Sequence, residues 1–121
     1  MKKILLTEDD DFLIDIYSTK LKKEGFIVEI AKTGKECLEK LEKDSYHLLL
    51  LDLILPEIDG WQVMEEIKKK REKGEKNFKD LKIVVLSNVQ EKEISSGVDA
   101  HLIKSENTPS QVAKRIIELL K

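Results

Sequence analysis

An α/β domain on a five-stranded parallel sheet, with helices covering both faces in a doubly wound arrangement, is the fold this sequence predicts. Three observations carry that prediction. Short apolar runs alternate strictly with segments of helical periodicity, five of each in order. The runs are continuous and do not alternate inside and outside, as befits strands covered on both faces. The 121 residues fit one domain, taken as 1–121, and no second or output domain is expected within them.

The elements follow in order. "KKILLT" (2–7) reads as the first strand, and "DFLIDIYSTKLKKEG" (11–25) as an amphipathic helix. That helix carries Leu13, Ile16, Tyr17 and Leu21 on one face, with Gly25 where a C-terminal cap belongs. "FIVEIA" is the second strand. The segment "TGKECLEKLEKD" opens with a capping box, Thr33 to Glu36, and turns Cys37, Leu38 and Leu41 inward. "HLLLL" is the third strand, and "GWQVMEEIKKKREKG" a helix whose basic last turn suits the negative end of its dipole. "LKIVVLS" (81–87) is the fourth strand, "VQEKEISSG" a short helix or helical turn, and "AHLIK" the fifth strand. The last helix opens on "TPSQ", with Thr108 as cap, Pro109 at the first helical position and Gln111 completing the box. Val112, Ala113, Ile116, Ile117 and Leu120 then recur at helical spacing.

Composition excludes several classes. Lys and Arg total 22 against 24 Asp and Glu, a net charge of −2, which argues against bulk electrostatic binding of nucleic acid or anionic lipid. The basic stretch "KKKREKGEKNFK" (68–79) has only Phe78 as an aromatic and reads as a solvated helix end and loop. A single cysteine, Cys37, precludes an intrachain disulfide and reads as a small packed hydrophobe. The apolar run after the N-terminal lysines is too short for a signal peptide, and no segment has the roughly 18 apolar residues of a membrane span. A cytoplasmic location without membrane insertion is the expectation. His47 is expected to be structural, and Trp61 to pack in the core beneath the third helix.

Ligands of open parallel sheets sit outside the carboxyl ends of the strands, where the strand order reverses. Those ends carry Glu8, Asp9, Asp10 and Asp11 after strand 1, Asp52 after strand 3, Ser87 after strand 4 and Lys104 after strand 5. Such an acidic run often caps a helix, a role that suits Asp10 and Asp11. Carboxylates brought close together repel one another and need a cation. Oxygen ligands alone favour a hard ion, Mg²⁺ with Mn²⁺ as a substitute. Such a site suits phosphoryl chemistry, in which a lysine can stabilise phosphoryl oxygens and a carboxylate can act as nucleophile. No glycine-rich Walker loop occurs.

The segments "ILLTEDD", "LLLLDLILPEIDG", "IVVLS" and "AHLIK", in that order, resemble the receiver (CheY-like) domain of two-component response regulators, over essentially the whole chain. The resemblance implies a flavodoxin-like fold and a stand-alone phosphorylation switch. It implies Asp52 as the phosphoacceptor, with Glu8, Asp9, Asp52 and the backbone carbonyl of Ile54 holding Mg²⁺. Ser87 would be the switch hydroxyl, Lys104 the lysine that pairs with the phosphoryl group, and His101 would stand where the family has its switch aromatic. The implied donor is a sensor histidine kinase or phosphotransfer protein, and the implied output is binding to a downstream protein, with no direct contact to nucleic acid. Two rivals are a small phosphohydrolase and a receiver-like binding module that is never phosphorylated. Ile54 stands where the hydrolase would need a second acid.

Three departures from the family pattern bear on these expectations. Ser105 follows Lys104 where the family usually has proline, often after a cis bond. A cis bond before a non-proline residue costs about 3–4 kcal/mol, so the loop either bears that strain or takes another path. His101 replaces an aromatic and can titrate near neutrality. The interval from Ser87 to Gly97 is short, so the fourth helix loses about a turn or gives way to loop.

Overall fold

The computed structural model describes residues 1–88 and 97–121. Its elements are β1 (Lys3–Thr7), α1 (Asp11–Lys23), β2 (Ile27–Ala31), α2 (Gly34–Lys43), β3 (Leu48–Leu51), α3 (Gly60–Glu72), α4 (Lys76–Lys79), β4 (Lys82–Ser87), β5 (Ala100–Ile103) and α5 (Pro109–Leu119). The five strands form one sheet in the order β2-β1-β3-β4-β5, with every pair parallel. The chain steps one way from β1 to β2 and then crosses back to β3, so the order reverses between β1 and β3. A crevice opens at the carboxyl ends of these two strands. The expected helical turn at 89–97 lies outside the described residues, apart from Gly97.

The leucine run shows why the strands read as continuous apolar segments. Successive side chains of a strand point to opposite faces. Leu48 and Leu50 join a core cluster with Tyr17, Leu21, Val112 and Ile116 from α1 and α5. Leu49 and Leu51 join the other cluster, with Cys37, Leu41, Val63, Ile67 and Phe78 from α2, α3 and α4. All four leucines are buried. Each fully buried leucine contributes about 1.5–3 kcal/mol. β3, the central strand, is therefore held from both sides.

Helix entry is set by side-chain caps. Asp10 Oδ1 accepts from the Phe12 and Leu13 amides at 2.9 and 3.1 Å. Thr33 Oγ1 accepts from the Glu36 amide. The expected reciprocal box there is only half made, because the Glu36 carboxylate accepts from the Lys32 amide instead. Asp59 and Gln62 form a full capping box at α3, which the sequence reading did not anticipate, and Thr108 and Gln111 form the expected one at α5. The last turns carry the opposite charge: Lys20, Lys22 and Lys23 in α1, Lys40 and Lys43 in α2, Lys69, Lys70 and Arg71 in α3. These basic last turns suit the negative ends of the three helix dipoles.

The stretch after α3 departs from expectation. It contains the one-turn helix α4, and Phe78 is 1% exposed within the core. Arg71, expected to be solvated, donates to the carbonyls of Phe78, Leu81 and Gly97 and ties α3 to α4, to the entry of β4 and to the approach to β5. Trp61, expected in the core, is 36% exposed at the start of α3. His47 accepts from the Lys3 amide through Nδ1, the structural role expected of it.

Candidate functional site

The residues after β1, β3 and β5 meet at the switch point. The Asp52 amide donates to the Thr7 carbonyl at 3.1 Å and extends the β1–β3 ladder by one bond. The Glu8 amide does the same to Ala31 across β1 and β2 at 3.0 Å. Both acids are thus placed by strand backbone, and both are buried, Glu8 at 3% and Asp52 at 8% exposure. Asp9, the next residue, is exposed. Carboxylate oxygens of Glu8, Asp9 and Asp52 lie within 4.8 Å of one another.

Lys104 reaches this group from the far side of β4. Its Nζ donates to Glu8 Oε1 at 2.9 Å and to Asp52 Oδ2 at 3.0 Å. The Ile54 amide donates to Asp52 Oδ1 at 3.2 Å, so both oxygens of Asp52 are engaged. Burial, then the neighbouring Asp52, pushes the Glu8 carboxyl up to about 8, while Lys104 pulls it the other way. Burial opposes the charge on Lys104, but Glu8 and Asp52 outweigh it and raise the ammonium above its ordinary value.

One ammonium does not balance three carboxylates, and Glu8 Oε2 is buried without a hydrogen-bond partner among the described residues. Three convergent oxygen ligands with no nitrogen or sulfur donor fit a hard divalent cation that keeps part of its water shell. The residues present therefore fit such an ion.

The loop between Asp52 and α3 is closely fitted. The Gly60 amide donates to the Leu53 carbonyl at 2.8 Å. A Cβ on Gly60 would stand 2.6 Å from the Asp52 carbonyl oxygen, so only glycine allows α3 to start here. Glu57 adopts a positive φ of 67° in the same loop, which no sequence signal announced. Ile54 is 59% exposed.

The remaining expected residues also find places. Ser87 ends β4, wholly buried, in register with Ile103. His101 lies on β5 in register with Val85, partly buried, and its Nε2 has no partner among the described residues. No cis peptide occurs among the described residues. The loop after β5 takes the other path: Lys104–Glu106 form a single 3-10 turn, fastened by Asn107 Nδ2 to the Ile103 carbonyl at 2.9 Å. The sequence reading placed Tyr17 only in the core, yet it stands against this site. No helix among the described residues is long and apolar enough to cross a membrane.

A doubly wound α/β domain with an acidic pocket at its switch point is the class that fold and geometry define. The model of the response regulator receiver domain matches residues 4–116, and the chain belongs to that family. The response regulator TrrA from Thermotoga maritima, solved in complex with Mg(2+)-BeF, is 31% identical with a TM-score of 0.83, and the match covers 100% of both chains. TrrA in complex with the histidine kinase ThkA gives 29% identity and a TM-score of 0.81, again over 100% of both chains. A transcriptional regulatory protein, the CpxR homolog of Haemophilus influenzae, is 46% identical over 69 residues, 57% of this chain and 30% of that protein. This chain spans less than half the length of several curated relatives it matches, among them that regulator. As a receiver domain, it is homologous to the response regulators of two-component signalling.

Proposed function

We propose that this receiver domain is phosphorylated on Asp52 and acts as a phosphorylation-dependent switch. The observation that carries the reading is the triangle of Asp52, Glu8 and Lys104, closed by contacts of 2.9 and 3.0 Å at the mouth of the sheet. Glu8, Asp9 and Asp52, with the Ile54 carbonyl, would hold Mg²⁺ or Mn²⁺, which supplies positive charge against the incoming phosphoryl oxygens. An Asp52 carboxylate oxygen attacks phosphorus. The new O–P bond forms as the donor's P–N bond breaks, and the pair from that bond leaves with the donor imidazole. Lys104, already held at Asp52, pairs with a phosphoryl oxygen, and the Ser87 hydroxyl hydrogen-bonds another. His101 would follow Ser87 between positions on β5.

The domain would assist its own phosphorylation and slow hydrolysis, and would signal by binding rather than by substrate turnover. The donor would be a sensor histidine kinase or phosphotransfer protein, as the complex of TrrA with ThkA supports. The output would be contact with a downstream protein, with 1–121 working as one cytoplasmic domain and touching no nucleic acid directly.

Incubation with Mg²⁺ and acetyl phosphate, followed by intact mass, tests this reading. Beryllofluoride serves as the stable mimic in NMR. A phosphoryl mass on the wild type that is lost in Asp52→Asn, with mimic-induced shifts at Ser87 and His101, is expected. Neither mass nor shifts, despite Mg²⁺ binding, would leave a constitutive binding module instead.

A further inference from the structure

The loop between β3 and α3 reaches the site twice through Ile54. Its amide donates to Asp52 Oδ1, and its carbonyl is the backbone ligand that the proposed function gives to Mg²⁺. The ends of the loop are fixed by backbone hydrogen bonds, from the Asp52 amide to Thr7 and from the Gly60 amide to Leu53. Between them, Leu55 to Ile58 make no backbone hydrogen bond among the described residues. Packing holds that stretch instead. Leu55 is buried in the cluster that contains Cys37 and Leu41 of α2, and the half-buried Ile58 packs against the same cluster.

The start of α2 closes on this loop. Gly34, its first residue, is buried. A Cβ on Gly34 would run into the Ile58 carbonyl oxygen and stand 3.0 Å from both the carbonyl carbon and the Cβ of Ile58. Only glycine admits so close an approach, and with any side chain one partner has to yield. α2 is the stiffer partner, because Cys37 and Leu41 of the same helix are wholly buried in a close-packed core. The loop, with no backbone bonds along its middle, is the side that gives, and its displacement carries to Ile54.

We propose that Gly34 is a positioning residue: its bare Cα lets the loop seat against α2, which sets the Ile54 carbonyl and amide at the Mg²⁺ site. Mg²⁺ held there, the reading on which this inference rests, demands near-ideal octahedral geometry, so displacing one ligand weakens it. Gly60 fixes the far end of the loop, and Gly34 fixes its middle from a different helix.

The test measures Mg²⁺ affinity by calorimetry for wild type, Gly34→Ala, Ile58→Ala and Leu41→Val, with Tm in EDTA as the measure of folding. Gly34→Ala should bind Mg²⁺ about 10–100-fold more weakly, the range for groups that orient metal ligands. Without metal, its Ile54 amide should exchange faster than in wild type. Ile58→Ala loosens the same contact from the loop side and should weaken Mg²⁺ binding in the same direction. Leu41→Val lowers Tm from the core of α2 and should leave Mg²⁺ affinity unchanged. Unchanged affinity in Gly34→Ala would overturn the inference, as would unchanged affinity in Ile58→Ala should Gly34→Ala not fold. An equal loss in Leu41→Val would overturn it too, by making the effect one of general stability. A wild type that binds Mg²⁺ but takes no phosphoryl group would remove the proposed switch and leave the role of Gly34 standing. A wild type that binds no Mg²⁺ would remove both.

Discussion

Glu8 has the most to say about pH. Its folded-state value of about 8 lies above the ordinary 4.5, so the folded protein holds this proton more tightly than the unfolded chain does. The stability this provides is complete below about 4.5 and is lost as pH rises through about 8. Melting curves in EDTA should therefore fall across that window, and Glu8→Gln, which stays neutral, should flatten the fall. Lys104→Ala should abolish labelling by acetyl phosphate while leaving Mg²⁺ binding intact. Loss of both would instead assign the lysine a purely architectural role. Glu8, Asp9 and Asp52 were legible as rim acids, because a polar residue ending an apolar strand has only the rim to occupy. The partnership of Lys104 with Glu8 was not. It joins residues 96 positions apart and depends on how far the turn after β5 carries the amine.

Helix boundaries were legible wherever a cap could be read, as with Thr108 and Gln111 at α5. Asp59 was hidden because an Asp-Gly pair reads equally well as a turn, and here it serves as a cap. α4 was hidden because four residues have no period, and the surrounding lysines read as solvated chain. Phe78→Ala should cost about 3–5 kcal/mol, since it empties a fully buried site. Urea denaturation checks this, and a loss below 1 kcal/mol would mean that α4 does not close the core. Gly60→Ala should lower Tm and slow phosphorylation together, because α3 and the Asp52 carbonyl are too close for a methyl group. A stability change with an unaltered labelling rate would separate the two.

Across the whole molecule, strict alternation of elements was enough to predict the sheet, its parallel strands and its doubly covered faces. The short helix or turn expected between Ser87 and Gly97 lies outside the described residues. Binding of Mg²⁺ at a hundredfold excess over Kd should add about 2.7 kcal/mol to stability. The gain in Tm should be smaller at pH 6 than at pH 9, because the ion must displace the Glu8 proton. The acidic cluster at the rim and the basic last turns of α1, α2 and α3 at the opposite pole also give this chain a dipolar charge pattern, despite a net charge of only −2. Near an anionic phosphodonor, that dipole feels a torque that turns its lysine end forward and the acidic rim away. A divalent cation at the rim shrinks the dipole and relieves the torque before any bond changes. Cation loading would then govern how often encounters begin in the productive orientation, an advantage that fades as salt shortens the reach of the field to about 8 Å.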